Sequence, residues 1–408
     1  MGAHQGAAVS VRGGGHNIAG TALADDVIML DLSDMRGVSV DAETRHVKVA
    51  GGATFAEIDR ATQAHGLAVA GGVVSSTGIG GLTLGGGIGW LARRHGLSID
   101  NLVSAEVVLA DGRYIRVSDT EELELFWALR GGGGNFGVVT EFEFRAHPVG
   151  PDICFGPTFF ALDDAEAVLT AYAAQSAHLS RDSCVWANLM TAPPSPALPA
   201  KWHGRKVLTL MQFHAGDLAQ AQADLTPLYG GMAPLGSAFQ SRAYVEAQCF
   251  LDEAYAFGAR NYWRTHNHMA LTPALIADLV ALAPDLPTPE SELLICQLGG
   301  AIADVPTGAT AFPHRQVPFM STPGVRWSDP DTDGPMIAWL KQASERIARH
   351  AAPGAYVNFI ADSDGAPAAY QQNLDRLRAI KHAYDPGNLF RVNQNISPAQ
   401  PLGGRGPH

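Results

Sequence analysis

The stretch Gly71-Gly72-Val73-Val74-Ser75-Ser76-Thr77-Gly78-Ile79-Gly80-Gly81, running on into Leu84-Gly85-Gly86-Gly87-Ile88-Gly89-Trp90, decides how this chain is read. Successive glycines let backbone N–H groups converge on an anion, and they let a ligand lie against the main chain. Two further loops share this character. Arg12-Gly13-Gly14-Gly15-His16-Asn17 directly follows a strand pattern, and Arg130-Gly131-Gly132-Gly133-Gly134-Asn135-Phe136-Gly137 directly precedes one. Any one loop alone reads as a tight turn at a strand end. Three in the first part of the chain, each with polar or aromatic neighbours, are better explained by an extended, phosphate-bearing cofactor.

A nicotinamide-type dinucleotide fold is the first alternative. Gly132, Gly134 and Gly137 satisfy GxGxxG as a string, but that motif must open a helix after a strand. Here a strand pattern follows, Val138-Val139-Thr140-Glu141-Phe142-Glu143-Phe144. In the other two loops Ile18 and Thr83 occupy the third glycine position. The sequence holds no Walker A motif and no GxSxG nucleophile elbow.

Outward from the loops, the 408 residues suggest two domains. The 46% of hydrophobic residues supply a core, and only 17% are charged, which argues against disorder. A net charge of −12 with no basic stripe excludes nucleic acid as a partner. No apolar run reaches the length of a membrane helix, and Met1 to Ser10 is too short and mixed for a signal peptide. A soluble, cytoplasmic protein is the expectation. Cys154, Cys184, Cys249 and Cys296 lack metal-site or redox spacing, so no metal is expected. Glycine density falls after Gly150, which places a domain boundary there.

Before that boundary the pattern predicts strands at Ala8–Val11, Val27–Asp31, His46–Ala50 and Val138–Arg145, and a helix from Thr54 to His65 with a Thr54/Glu57 capping box and Gly66 as its stop. Val103–Ala110 and Arg113–Ser118 flank Asp111-Gly112 as a hairpin. After it, helices are expected at Asp163–Leu179 and from Thr272-Pro273 to Ala283. Strands are expected at Val207–His214, Leu293–Leu298 and Tyr356–Ala361.

Together these stretches resemble the FAD-linked oxidases of the berberine bridge enzyme-like family, within the vanillyl-alcohol oxidase superfamily. The resemblance is carried by Val11 to Asn17, Gly78 to Leu91, Phe126 to Thr140, Ala355-Tyr356-Val357-Asn358-Phe359 and Tyr384-Asp385-Pro386-Gly387-Asn388-Leu389-Phe390. It implies an α+β fold: a two-part FAD-binding domain of the PCMH type, plus a substrate domain with a large antiparallel sheet flanked by helices. The expected division is 1–149 for FAD binding, 150–365 for substrate, 366–398 returning to the FAD-binding domain, and 399–408 as a disordered tail. Such proteins usually carry a strand–helix–strand unit ahead of the first glycine loop. This chain starts only eleven residues before Arg12, so that unit is expected to be missing and FAD retention weakened.

The resemblance assigns His16 as the covalent link to the flavin 8α carbon. It places the pyrophosphate against Arg12, Gly13, Gly14, Gly15, His16 and Asn17 and against Thr77, Gly78, Gly80 and Gly81. Gly20, Gly72 and Val73 belong to the same cofactor set. Gly137, Val138 and Val139 are expected against the cofactor through their backbone. Tyr356 and Asn358 match an element beside the isoalloxazine, with Tyr356 as base or substrate-positioning residue. Asn393 and Asn395 read equally well as flavin-side groups or as ordinary loop amides. Some relatives add a cysteinyl flavin bond from the middle loop; Val74 stands there, so no second bond is expected. The implied reaction oxidises a small organic substrate (an alcohol, sugar, amine or secondary-metabolite intermediate), with molecular oxygen reoxidising the flavin to give peroxide. A dehydrogenase using another acceptor, or a shortened binding protein without catalysis, are the alternatives. Gln212, His214, Tyr255, Arg260, Trp263, Gln297 and His314 are the substrate-side candidates, with Gln212 and His214 on one face of a strand.

Overall fold

Val138–Arg145, whose residues alternate between apolar and polar, becomes the central strand of a five-stranded antiparallel sheet in the computed structural model, which describes residues 7–362 and 365–399. The sheet order is 38–41, 46–50, 138–145, 102–108 and 114–118. The Asp111-Gly112 hairpin forms as its sequence demands, with Gly112 at φ +88°. The helix Phe55–Gln63 starts where Glu57 receives the Thr54 N–H at 2.7 Å. Ala8–Arg12 and Val27–Asp31 pair in parallel as a separate ribbon. The helix Leu374–Tyr384 comes back to this half, where Leu377 and Ile380 share a core with Phe126, Trp127 and Phe142.

Past residue 150 the chain builds a nine-stranded antiparallel sheet, and its two faces differ. One face buries Val185, Ala187, Leu208, Leu210, Leu293 and Ile295 under helices that include Ala165–Gln175 and Pro273–Leu282. The Thr272 hydroxyl caps the latter helix by accepting from the Leu275 N–H. The opposite face presents Trp186, Phe213, Leu294, Cys296 and Met320 to Ile88, Trp90 and Leu91 of the glycine stretch and to Tyr356. This α+β arrangement is the one expected.

Two arginines fasten the halves across that seam. Fully buried Arg315 makes a bidentate pair with Asp100, at 2.7 and 2.8 Å, and donates to Thr310. Removing one partner of such a pair costs about 3–5 kcal/mol, because the other charge stays buried. Arg93 instead donates to backbone carbonyls of Leu298 and Ser180.

Two local expectations need correction. Tyr356–Ala361 is not a strand: Val357–Phe359 forms a 3-10 turn after Gly354 at φ +98°. Its apolar residues are satisfied by packing inward at the seam, so no ladder partner is required. The helix predicted over 163–179 is shorter, Ala165–Gln175, preceded by a 3-10 turn at Leu162–Asp164. From residue 400 on, the tail expected to be disordered lies outside the described residues. Among those residues no helix is long and apolar enough to cross a membrane.

The glycine loops touch backbone to backbone. A Cβ on Gly14 would stand 2.3 Å from the Gly78 nitrogen, and one on Gly78 would stand 2.3 Å from the Gly14 nitrogen. Gly78→Ala is expected to lower unfolding stability by about 1–3 kcal/mol through overpacking. Gly37→Ala, where a Cβ meets open space, is expected to stay within about 0.5 kcal/mol. Denaturant titration checks both, and equal midpoints would contradict the packing argument.

Burial depresses His95 to about 3 and His147, His266 and His314 to about 4, and lowers His16 and His268 as well. Their folded-state values lie below the unfolded value, so the unfolded chain takes up protons first. Stability is therefore whole above about pH 6.5 and falls as pH drops toward 4. Asp59, raised to about 7 by burial, and Glu292, also raised by burial, act in the opposite sense but are outnumbered by the lowered histidines. His314→Gln is expected to flatten the fall by up to about 1.4 kcal/mol per pH unit, measured by denaturation between pH 4.5 and 6.5.

Candidate functional site

The first glycine loop is shaped by its own side chains. Asn17 Oδ1 accepts from the Ala19 N–H at 3.0 Å and from the Thr21 hydroxyl at 3.3 Å. Arg12 pairs with Asp31 on the neighbouring strand at 2.8 Å. The half-buried His16 is thereby held with Nε2 2.8 Å from Ser76 Oγ, and Phe257 meets its ring edge-on at 4.9 Å. Burial lowers the His16 pKa, against the raising influence of Asp252 and Ser76. The imidazole is therefore neutral near pH 7, and among the described residues the Ser76 contact leaves Nδ1 as its free nitrogen.

The middle loop is tied at both ends. Thr77 and Ser75 carbonyls receive the N–H groups of Phe55 and Ala56 at the start of the helix Phe55–Gln63. Asp252, from the other half, takes the Ser75 N–H at 2.9 Å and the Ser75 hydroxyl at 2.6 Å. Gln248 donates to the Gly72 carbonyl. Val73 packs at the edge of the seam core. A Cβ on Gly80 would meet the Gly51 carbonyl at 3.1 Å, and one on Gly13 the same carbonyl at 3.5 Å, so both loops converge on this turn. The Val139 carbonyl lies against Gly51 too; Val138 and Val139 open the strand Val138–Arg145, and Gly137 just before it is pressed on Val107 and Val108.

Tyr356 and Asn358 meet the glycine run beyond the loop. The buried Tyr356 hydroxyl accepts from the Gly87 N–H at 3.1 Å and from Asn358 Nδ2 at 2.9 Å. Asn358 also donates to the Leu82 carbonyl at 3.0 Å. Gly85 has no room for a Cβ, which would stand 2.0 Å from the Asn358 amide. Burial raises the Tyr356 pKa, and the Gly87 and Asn358 donors only partly oppose it. The phenol is thus protonated at neutral pH, without the downward shift a base would need.

Among the described residues Asn393 and Asn395 make no hydrogen bond to His16 or Tyr356. Asn393 Nδ2 donates to the carbonyls of Gly134 and Phe390, and Asn395 Nδ2 reaches Ser397. Their Oδ1 atoms, like Thr83 Oγ1, are buried without a partner among the described residues. Nothing lies within 4 Å of where a Cβ would stand on Gly20, Gly81 or Gly134. Open backbone on three glycine segments, with orphaned polar atoms beside them, fits a long polar cofactor such as FAD.

The remaining substrate-side candidates divide by sheet face. Gln212 bonds Thr158 and Tyr229, and Gln297 bonds Val185 and Ser176, all away from the seam. His214 contacts Asp224 on that side, and Arg260 pairs with Asp333 at the surface. His314 holds the Ala369 carbonyl. Trp263 and Tyr255 pack toward Phe359 and hence toward Tyr356. Sequence reasoning missed Asp252 and Phe257 as neighbours of the His16 loop. No local pattern marks them, because their role comes from contacts with residues far away in sequence, Ser75 for Asp252 and His16 for Phe257.

The comparisons accord with this geometry. An FAD binding domain model matches residues 2–118, and a model described as berberine and berberine like matches 355–397. The FAD-linked oxidoreductase pgmH of Aspergillus terreus is 30% identical over 410 residues, covering 95% of this chain and 82% of that one. The (R)-6-hydroxynicotine oxidase of Paenarthrobacter nicotinovorans is 29% identical, covering 96% and 86%. The crystal structure of 6-hydroxy-D-nicotine oxidase from Arthrobacter nicotinovorans superposes with a TM-score of 0.84 at 25% identity, covering 97% and 88%. This chain belongs to the berberine bridge enzyme-like family of FAD-linked oxidases.

Proposed function

We propose that this enzyme oxidises a small organic substrate with an FAD held covalently through His16, and passes the electrons to molecular oxygen to release peroxide. The observation that carries the reading is the neutral His16 imidazole, fixed by Ser76 where two glycine loops meet. When bound, FAD supplies the two-electron oxidising chemistry of such a site, and the protein supplies binding, orientation and electrostatics. The assigned loops, 12–17 with Gly20 and 72–81, offer backbone amides to the pyrophosphate. His16 presents Nδ1 as the nucleophile toward the 8α carbon, a role open to a neutral imidazole.

No second flavin bond is proposed. Val74 stands in the middle loop, and burial raises the thiol of Cys249, the cysteine beside Ser75, so it stays protonated. Residues 1–149 and 366–398 are the cofactor-binding parts of this reading, and 150–365 the substrate part. Tyr356, protonated and locked by Gly87 and Asn358, serves as a hydrogen-bond donor that orients the substrate. The likeness to an (R)-6-hydroxynicotine oxidase supports a small-molecule substrate.

Purified protein is expected to be yellow, with the colour retained in the washed acid precipitate. His16→Ala is expected to release all of it to the supernatant; flavin that stays attached in that variant would remove His16 as the link. With (R)-6-hydroxynicotine, benzyl alcohol and xylobiose as probes, at least one is expected to bleach the flavin without air and yield peroxide in air. Tyr356→Phe is expected to slow that bleaching by about a hundredfold while retaining FAD, a loss of the size expected for misplaced substrate. Unchanged bleaching would take Tyr356 out of the site.

A further inference from the structure

The seam-facing side of the nine-stranded sheet carries polar residues that neither core absorbs. Alternation along Ser183–Thr191 puts Trp186 and Asn188 on this side, because Trp186 joins the seam core while Leu189 joins the opposite one. Strand register sets Thr209 beside Asn188, Leu294 beside Asn188, and Thr322 beside Leu294. Glu292 is two residues from Leu294 on the same face, opposite Gly324, and Gly324 in turn pairs with Trp263. One sheet face therefore runs from an apolar row packed on Trp90 and Tyr356 into a polar one.

Within that polar row the bonding is unequal. The Tyr255 hydroxyl donates to Glu292 Oε1 at 2.7 Å, and Asn188 Nδ2 donates to Glu292 Oε2. Asn188 Oδ1, Thr209 Oγ1 and Trp186 Nε1 are buried with no partner among the described residues. Thr209 is 2% exposed and Trp186 5%, so water does not satisfy them freely. Buried polar atoms in native proteins nearly always have partners. Three unpartnered ones side by side on the face turned toward Tyr356 mark where a ligand's polar groups belong.

We propose that Glu292, held by Tyr255 and Asn188, is the substrate's proton acceptor, and that the substrate is a neutral alcohol whose further hydroxyl groups bond to Asn188, Thr209 and Trp186. This rests on the oxidase reading above. In the step, the substrate C–H bond breaks and its electron pair leaves with the hydrogen to reduce the flavin. The O–H proton passes to the Glu292 carboxylate, and the carbon–oxygen bond becomes a carbonyl. The groups left unpartnered are neutral donors and acceptors, which match hydroxyls.

The electrostatics suit this task better than those of Tyr356. Burial pushes the Glu292 carboxyl above its ordinary value, while Tyr255, Asn188 and the Arg326 guanidinium on the next strand draw it down. A carboxyl whose pKa is raised is the stronger base once ionised. Tyr255 is itself raised by burial and by Glu292, so it remains a donor. Cys296 on the same strand, raised by burial, faces the pair as a neutral thiol.

The test uses the FAD-loaded full chain and its Glu292→Gln and Tyr255→Phe variants. Flavin content and photoreduction are measured first, to establish an intact site independently of substrate. Stopped-flow bleaching by benzyl alcohol and xylobiose is then followed against pH. Glu292→Gln is expected to slow bleaching by about a hundredfold or more and to abolish its acid limb. Tyr255→Phe removes a donor from the carboxylate, so its acid limb is expected to move to higher pH. A Glu292→Gln enzyme that bleaches at the wild-type rate with the same acid limb overturns the assignment, and so does an unmoved limb in Tyr255→Phe. If (R)-6-hydroxynicotine bleaches the wild type but neither alcohol does, the oxidase reading stands and the alcohol assignment falls. A yellow, photoreducible wild type that no probe bleaches sinks both.

Discussion

The contact between the Gly14 and Gly78 backbones is the constraint on which the rest of the site depends. At this separation no side chain can intervene, and each glycine occupies the place where the other's Cβ would be. The approach brings His16 onto Ser76 and sets both loops against the Gly51 carbonyl. Glycine costs conformational entropy on folding, and the chain offsets it by tying each loop to something rigid. The middle loop is bonded to the start of the helix Phe55–Gln63 and to Asp252, and the first loop to its own Asn17.

The seam between the two sheets is the second determinant. Its apolar core joins Ile88, Trp90 and Leu91 to one face of the large sheet, so the glycine run is clamped between backbone on one side and aromatic rings on the other. Arg315 and Asp100 lock the seam with a buried charge pair, and Arg93 does so through carbonyls of the large-sheet half. Such links resist sliding better than an apolar contact would, because any shift strands a buried charge. A rigid seam matters for chemistry that needs reacting groups held to fractions of an ångström.

Burial sorts the protonation states along this seam. His16 is held neutral, Tyr356 is held protonated, and the Glu292 carboxyl is raised above its ordinary value. Desolvation is the largest influence in all three, and in each it favours the uncharged form: imidazole, phenol and carboxyl.

The sequence by itself determined the family, the α+β class, the hairpin at Asp111-Gly112, the capped helices at Thr54 and Thr272, and the loops able to take a cofactor. Each of these is encoded locally, in glycine runs, caps and alternation that need no distant partner. Only the tertiary structure decided that Tyr356 and Asn358 sit on a turn, since their apolar neighbours suit a strand equally well and only packing against Leu82 and Gly87 selects between them. It alone turned Gln212 and His214 toward the helical layer, because alternation fixes which residues share a face but not which face meets the seam. Asp252, Phe257 and Glu292 carry no local mark; each gains its place from a contact made across many tens of residues, which no spacing along the chain records.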